Sequence, residues 1–426
     1  MSSYIAPEES LDLSGLPQEI LNTILETKLE RRYKVASIEQ AKSAQQRVFI
    51  LKLKPSNDKI EHDDLVGEWK DCLERGRNRL VVREWKGGCQ WWNLHRNLDV
   101  NHLSHYEMLG YKVARQAFQR DKTSSTPVTI PRILFCHPSF SWAVMEYVGP
   151  NSTIFDESLC YDSYYLENMI KCRQEFGFEE PHPRWGRVPV NESLAYATLI
   201  LDQVMIPLHQ KSCDILLHET GHKIDHEYKT YNSMLQLYQE AWKSMSLSLS
   251  SSSSTNNGPI LKDPRMTEAL KLVKDAVVTT LPSNESSIPP LSQVLVHMDL
   301  QPQNLLFGKS KNNKALTVSS VLDWEDAALA DPRFDLLLLC RKVCANRSQA
   351  NAIWDIYNKS TTFVTDIGSI RPWLQLETIH SIITMLLQSM DLLNGGRNPW
   401  ETKTDLWEKL QREFHRWKEL LKELND

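Results

Sequence analysis

His297, Asp299 and Asn304 stand in the spacing H-x-D-x-x-x-x-N, and another acid, Asp323, follows after the apolar runs LLF and LTVSSVL. The stretch between those runs, GKSKNNK, is rich in turn formers, so the two runs read as the strands of a β-hairpin. A hairpin returns to the edge it left, which predicts Asn304 and Asp323 as neighbours at its open end. An amide oxygen beside a carboxylate is a pair of hard ligands suited to Mg²⁺ carrying phosphates. Asp299 then lies a few residues away, free to take a proton from an attacking hydroxyl. That is the equipment of phosphoryl transfer, in which protein groups mainly position reactants and neutralise charge.

These residues need a frame. Residues 16–31 predict a lead-in helix, followed by β-rich runs from Arg32 (RYKVASIEQ), Arg47 (RVFILKLK) and Asn78 (NRLVVREWKGG). The last two are joined by the charged insertion PSNDKIEHDDLVGEWKDCLERGR, with room for a short helix. From His102 to Phe118 the residues Leu103, Tyr106, Gly110, Val113, Ala114 and Ala117 recur at helical spacing, and strands RILFC and SWAVMEYV follow. After Gly149 periodic helical segments dominate: 192–210, 227–242, 266–279, 335–346, 371–393 and 404–424. The expected class is α+β and bilobal. A lead-in segment (1–31) precedes a small five-stranded antiparallel lobe with one helix (32–149), then a mainly helical lobe (150–426) that contains the catalytic hairpin. The serine-rich stretch 244–257 is too polar to bury a core and predicts a flexible loop.

Composition narrows the partners. A formal charge of −5 gives no reason to expect nucleic acid or an anionic membrane surface, and any ATP site must rely on local cations and metal. No apolar stretch approaches the ~20 residues that span a bilayer, and the start MSSYIAPEES lacks the build of a signal peptide. Eight cysteines without a C-x-x-C pair argue for reduced thiols and a cytoplasmic protein. Cys340 and Cys344, one helical turn apart, read as two buried small hydrophobes.

In the order VMEYV, Leu208–His209, VHMDLQPQN, VLDWEDA and DPRFDL, the chain resembles the aminoglycoside phosphotransferase and choline kinase group of the protein-kinase-like fold. The resemblance runs through most of the chain from Arg32 onward. It implies Asp299 as catalytic base, Asn304 and Asp323 as Mg²⁺ ligands, and His297 as a brace of the loop. Asp335 would hold the catalytic loop by the same likeness, and its position also suits a helix N-cap. ATP would lie between the lobes, with the backbone of the Met145–Val148 hinge receiving adenine, which makes Glu146, Tyr147 and Val148 nucleotide-binding candidates.

The first lobe also needs a cation over the ATP phosphates. Lys52 on the second strand and Arg83 on the third compete for that role. Arg83 is favoured, because the third strand is where kinases carry this residue, and arginine there resembles the choline and ethanolamine kinase branch. A guanidinium offers phosphate a fixed fork of donors. Glu107 on the following helix is its natural partner. No glycine-rich loop lies between the first two strands, where EQAKSAQQ stands instead, a departure common in the group the chain resembles.

Two rival readings stand beside this one. Residues 218–222 read HETGH, formally the H-E-x-x-H of zinc hydrolases, with His218 and His222 as ligands and Glu219 activating water. Against it, Lys223 sets a charge beside the would-be metal. A nucleotide-binding pseudokinase is the other rival, kept alive by the missing glycine loop. The expected reaction is ATP- and Mg²⁺-dependent transfer to a hydroxyl of a small molecule. Acidic residues between Asn151 and Pro290 favour a cationic acceptor. Protein substrates are disfavoured, because Asp323 runs directly into EDAALADPRFD and leaves no room for a long activation segment.

Overall fold

A computed structural model describes residues 16–29, 32–41, 47–56, 68–85, 100–119, 128–139, 141–148, 153–154, 190–219, 230–251, 288–300, 304–309, 316–344, 346–361 and 366–393, with isolated positions 264, 271, 274, 411 and 418. The chain divides into two compact units, Met1–Lys86 with Pro131–Pro150, and Gly87–Ile130 with Asn151–Asp426.

The first unit is built on five antiparallel strands: β1 (Tyr33–Ala41), β2 (Arg47–Pro55), β3 (Arg79–Glu84), β4 (Ile133–Cys136) and β5 (Trp142–Glu146), in the order β1-β2-β3-β5-β4. The two-residue period of a strand sorts its faces. On β2, Phe49, Leu51 and Leu53 are buried while Lys52 and Lys54 are exposed. The buried face is roofed by helix α1 (Gln18–Asn22) and its continuation as a π-helical turn, Thr23–Lys28, through Ile20, Leu21, Ile24 and the following Leu29. The lead-in segment is therefore part of this unit's core. Helix α2 (Glu68–Arg75), in the β2–β3 insertion, adds Leu73 to the same core. Lys52 pairs with Arg79 and Val48 with Arg83, so Lys52, Arg79 and Arg83 share the opposite face.

In the second unit, helix α3 (Val100–Gln119) comes close to the segment after Asp323. A Cβ on Gly110 would lie 2.8 Å from the Ala327 Cβ and 3.3 Å from the Trp324 Cβ, so glycine permits the approach. Sequence grouping had set this helix with the sheet. Helices α4 (Val190–Ile200) and α5 (Ile206–Glu219) are joined by a π-helical stretch, Leu201–Met205. The wider turn precedes Pro207, which lacks the N–H an α-helical ladder needs. Helix α6 (Tyr231–Ser251) continues into the stretch expected as a loop; once nucleated, a helix propagates through serines interspersed with leucine. Residues 252–257 lie outside the described residues.

Three strand pairs frame the chemistry. β6 (Thr153–Ile154), β8 (Leu305–Lys309) and β9 (Leu316–Val321) form one sheet in the order β6-β8-β9, and β7 (Val294–Val296) pairs with β10 (Ala328–Ala330). Helices α7 (Arg333–Val343), α8 (Arg347–Ser360) and α9 (Arg371–Leu393) follow. Helix α8 escaped sequence reading although Ala350, Ile353, Trp354 and Tyr357 are buried at helical spacing and Asn346 caps it. The helices expected at 266–279 and 404–424 lie almost wholly outside the described residues. Among the described residues no helix is long and apolar enough to cross a membrane.

Two buried ion pairs fasten α7. Arg341 pairs with Glu377 of α9, which also accepts the Ser381 hydroxyl at 2.8 Å. Arg333 grips both oxygens of Asp331 at 2.9 and 2.7 Å, donates to the carbonyls of Ile367 and Pro289, and stacks 4.6 Å over Trp373. Asp331 in turn accepts the Leu291 N–H at 3.1 Å, so the pair anchors the chain that enters β7. Arg333→Met strands a buried carboxylate. Urea or thermal melts should show a loss of about 3–5 kcal/mol.

Candidate active site

The hairpin forms, with a register shift between Leu306 and Phe307. Leu305 lies opposite Val321, and the Leu322 N–H donates to the Asn304 carbonyl at 2.8 Å, which brings Asp323 beside Asn304. The Asn304 Nδ2 donates to the Asp299 carbonyl at 2.9 Å and to Asp299 Oδ2 at 2.8 Å. With its amide nitrogen so engaged, Asn304 would present Oδ1 to a metal ion. Met298 (φ 63°) and Asp323 (φ 60°) are non-glycine residues in the left-handed region. Strain of this kind persists only where the surroundings over-determine it.

Asp335 supplies that restraint at Met298. Its two oxygens accept the consecutive N–H groups of His297 and Met298, each at 2.8 Å. Asp335 Oδ2 also faces His209 Nε2 at 3.3 Å, and His209 Nδ1 meets the Tyr357 hydroxyl at 2.7 Å. A wholly buried chain from α8 through α5 and α7 thus ends on the loop that carries Asp299. His297 Nε2 bonds the Leu322 carbonyl at 2.8 Å, immediately before Asp323, and its ring lies 4.6 Å from that of fully buried Trp324. His297 joins the two halves of the site; its contacts are those of a brace.

The electrostatics call for a cation. Burial, then the charges of Asp326 and Asp323, push the Asp299 carboxyl up to about 8, against the opposing pull of Lys342 and the Asn304 hydrogen bond. Among the described residues no group of three or more His, Cys, Asp and Glu forms a dedicated metal cage. Mg²⁺ does not require one, since it commonly takes one or two carboxylates together with phosphates and water. The all-oxygen donors Asn304 and Asp323, with the carboxylates of Asp299 and Asp326 near, fit that ion.

In the first unit, Arg83 is buried on β3 and Lys52 exposed on β2. Lys52 sits opposite Arg79, four residues from Arg83, so the two cations stand roughly 13 Å apart along the strands. Glu146 turns its side chain to the core face, where Oε1 meets Arg75 at 2.9 Å and Oε2 accepts the Arg132 N–H at 3.2 Å. Tyr147 receives a hydrogen bond from Arg79 at 3.2 Å, with the guanidinium 5.3 Å over its ring. These side chains are engaged in the unit's own structure, so a role for Glu146–Val148 toward a nucleotide falls to the backbone. In the second unit Glu107 is fully buried on α3.

Sequence reading missed Asp326, although it stands in the DWEDA motif, and it had no signal for Tyr357, which lies 148 positions from His209. His218 and Glu219 fall at the end of α5; residues 220–229, with His222, lie outside the described residues, so the zinc reading is untested.

Residues 261–373 match the family model of the phosphotransferase enzyme family (APH), the segment that holds VHMDLQPQN, VLDWEDA and DPRFDL. No curated protein matches the chain in sequence. A variant of aminoglycoside 2'-phosphotransferase-IIIa solved with GDP is 14% identical over 93% of this chain and 97% of its own, with a TM-score of 0.50. APH(2'')-IIIa solved with GDP and kanamycin is 11% identical over 92% and 98%, with a TM-score of 0.51. A choline/ethanolamine kinase family protein from Mesorhizobium loti aligns at 13% identity over 95% and 94%, with a TM-score of 0.41. The first two likenesses give the fold, that of the protein-kinase-like phosphotransferases, and the expected α+β class stands.

Proposed function

We propose that this protein is a small-molecule kinase that transfers the γ-phosphoryl group of ATP to a hydroxyl of its acceptor. One observation carries the reading: the hairpin sets Asp323 next to Asn304 while the Asn304 amide fixes the Asp299 carboxylate. Asp299 takes the hydroxyl proton as the oxygen attacks phosphorus. The Asp335 clasp keeps the Asp299 loop in its strained form, so that the base need not be re-ordered at each turnover. Asn304 and Asp323 would hold Mg²⁺, which when bound offsets the charge of the phosphate oxygens. A cation at Asp323 would offset one of the charges that oppose ionisation of Asp299 and so lower its carboxyl from the raised position.

Adenine is assigned to the backbone of Glu146, Tyr147 and Val148, and the phosphates to Arg83. The burial of Arg83 and the exposure of Lys52 support this choice. Arg83→Gln should raise the KM for ATP by about tenfold or more, whereas Lys52→Gln should leave it within about twofold. Reversal of the two effects would transfer the role to Lys52.

The acceptor class to test first is a polyhydroxylated or hydroxylated amine. The kanamycin complex of a fold neighbour and the carboxylates around Asp299 both support a cationic acceptor. Coupled ADP release, measured with aminoglycosides, amino alcohols and neutral sugars, tests the reading. The expected result is acceptor-dependent ADP formation with at least one amine; ADP release that no added acceptor stimulates would count against it.

A further inference from the structure

We infer that helix α2, the insert between β2 and β3, positions the nucleotide-binding strand end, and that Arg75 is the positioning residue through which it acts. The inference rests on the assignment of adenine to the Glu146–Val148 backbone. It adds a device that none of the kinase motifs in the sequence contains.

Arg75 is the last residue of α2. Its own helix holds the guanidinium, with Nε donating to the Asp71 carbonyl at 3.2 Å and Nη2 to the Cys72 sulfur at 3.6 Å. The same Nη2 reaches Glu146 Oε1 at 2.9 Å. An exposed ion pair contributes little, but Glu146 is only 3% exposed, and the Arg132 N–H occupies its other oxygen at 3.2 Å. One buried carboxylate therefore ties α2, the start of β4 and the end of β5 together.

The residues after Arg75 repeat the contact. The three atoms nearest a Cβ on Gly76 would be backbone oxygens: Arg79 at 2.7 Å, Cys72 at 3.0 Å and Tyr147 at 3.2 Å. The turn is thus pressed against the carbonyl of the residue that follows Glu146. Arg77 (φ 51°) and Asn78 (φ 59°) are consecutive non-glycine residues in the left-handed region. Arg79 then closes over the Tyr147 ring and bonds its hydroxyl. A connection that only had to join β2 to β3 would need none of this strain. Here Arg75, Gly76 and Arg79 fix Glu146 and Tyr147 in turn, and over-determined strain of this sort marks functional positions.

The test is Mg·ATP binding by calorimetry together with steady-state kinetics on the full chain. Arg75→Met should weaken ATP binding and raise the KM for ATP by about tenfold, while kcat stays within about twofold. Arg75→Lys should restore most of the loss. Glu146→Gln should weaken ATP binding as well, and the double variant should be no worse than the poorer single one, because both substitutions break one contact. If Arg75→Met does not fold, Gly76→Ala carries the test with the same expected loss. A folded Arg75→Met that binds ATP like wild type, or effects of Arg75→Met and Glu146→Gln that simply add, overturns the inference alone. A wild-type protein that binds no ATP overturns both the inference and the reading on which it rests.

Discussion

Asp299→Asn should lower kcat for ATP-dependent transfer by roughly 10²–10⁴-fold, the usual contribution of a positioned general base, with little change in the KM for ATP. A second signature distinguishes this from simple damage. In the absence of divalent cation the folded chain holds the Asp299 carboxyl at about 8, well above the ordinary carboxylate range, because burial and the neighbouring Asp326 and Asp323 oppose its charge. Ionising it therefore costs stability. That stability is fully present below the ordinary carboxylate range and is lost as pH rises toward about 8. Asparagine can still accept the Asn304 hydrogen bond but carries no charge. Melting curves from pH 5 to 9 without divalent cation should show the wild type losing stability with pH more steeply than the variant, and the variant melting at least as high at pH 8. A variant that keeps activity, or one that melts far below wild type at every pH, would contradict the assignment.

Asp335→Ala should be the most damaging change outside the reacting groups. It removes the acceptor from the His297 and Met298 N–H groups and from His209, where Asp335, His297 and His209 are fully buried and Met298 half-buried. Buried donors left without partners cost about 1–3 kcal/mol each, so a loss of about 3 kcal/mol or more is expected. The left-handed Met298 then loses the clasp on its N–H, and the loop carrying Asp299 relaxes. A fall in kcat of at least about 10²-fold should accompany the lost stability. Asp335→Asn keeps one of the two clasping oxygens and should fall between. Denaturant melts and turnover on the same preparations check both effects.

The hairpin, the spacing of Asp299, Asn304 and Asp323, and the five strands were legible because each follows from local rules: turn chemistry, strand period and the return of a hairpin to its starting edge. The restraint on the site was harder to read. Tyr357 contributes through a helix far along the chain, and its buried hydroxyl looks in sequence like any core aromatic. Asp326 was visible as a letter but not as a neighbour, since only the short helical turn Trp324–Asp326 brings its charge toward Asp299. The sequence offers the backbone of Glu146 as part of the hinge and says nothing of its side chain, which faces Arg75. Strand parity predicts that direction once the pairing Leu80–Glu146 is known, but pairing is a tertiary fact.

The central claim is transfer of the γ-phosphoryl group to a small molecule through Asp299. The most direct measurement incubates the protein with γ-labelled ATP, Mg²⁺ and a deproteinised metabolite extract supplemented with aminoglycosides and amino alcohols, then follows the label by chromatography and mass spectrometry. The predicted result is a labelled small-molecule phosphomonoester with the wild type and none with Asp299→Asn. Label that stays in ATP despite tight nucleotide binding, or that appears equally with the variant, would contradict it.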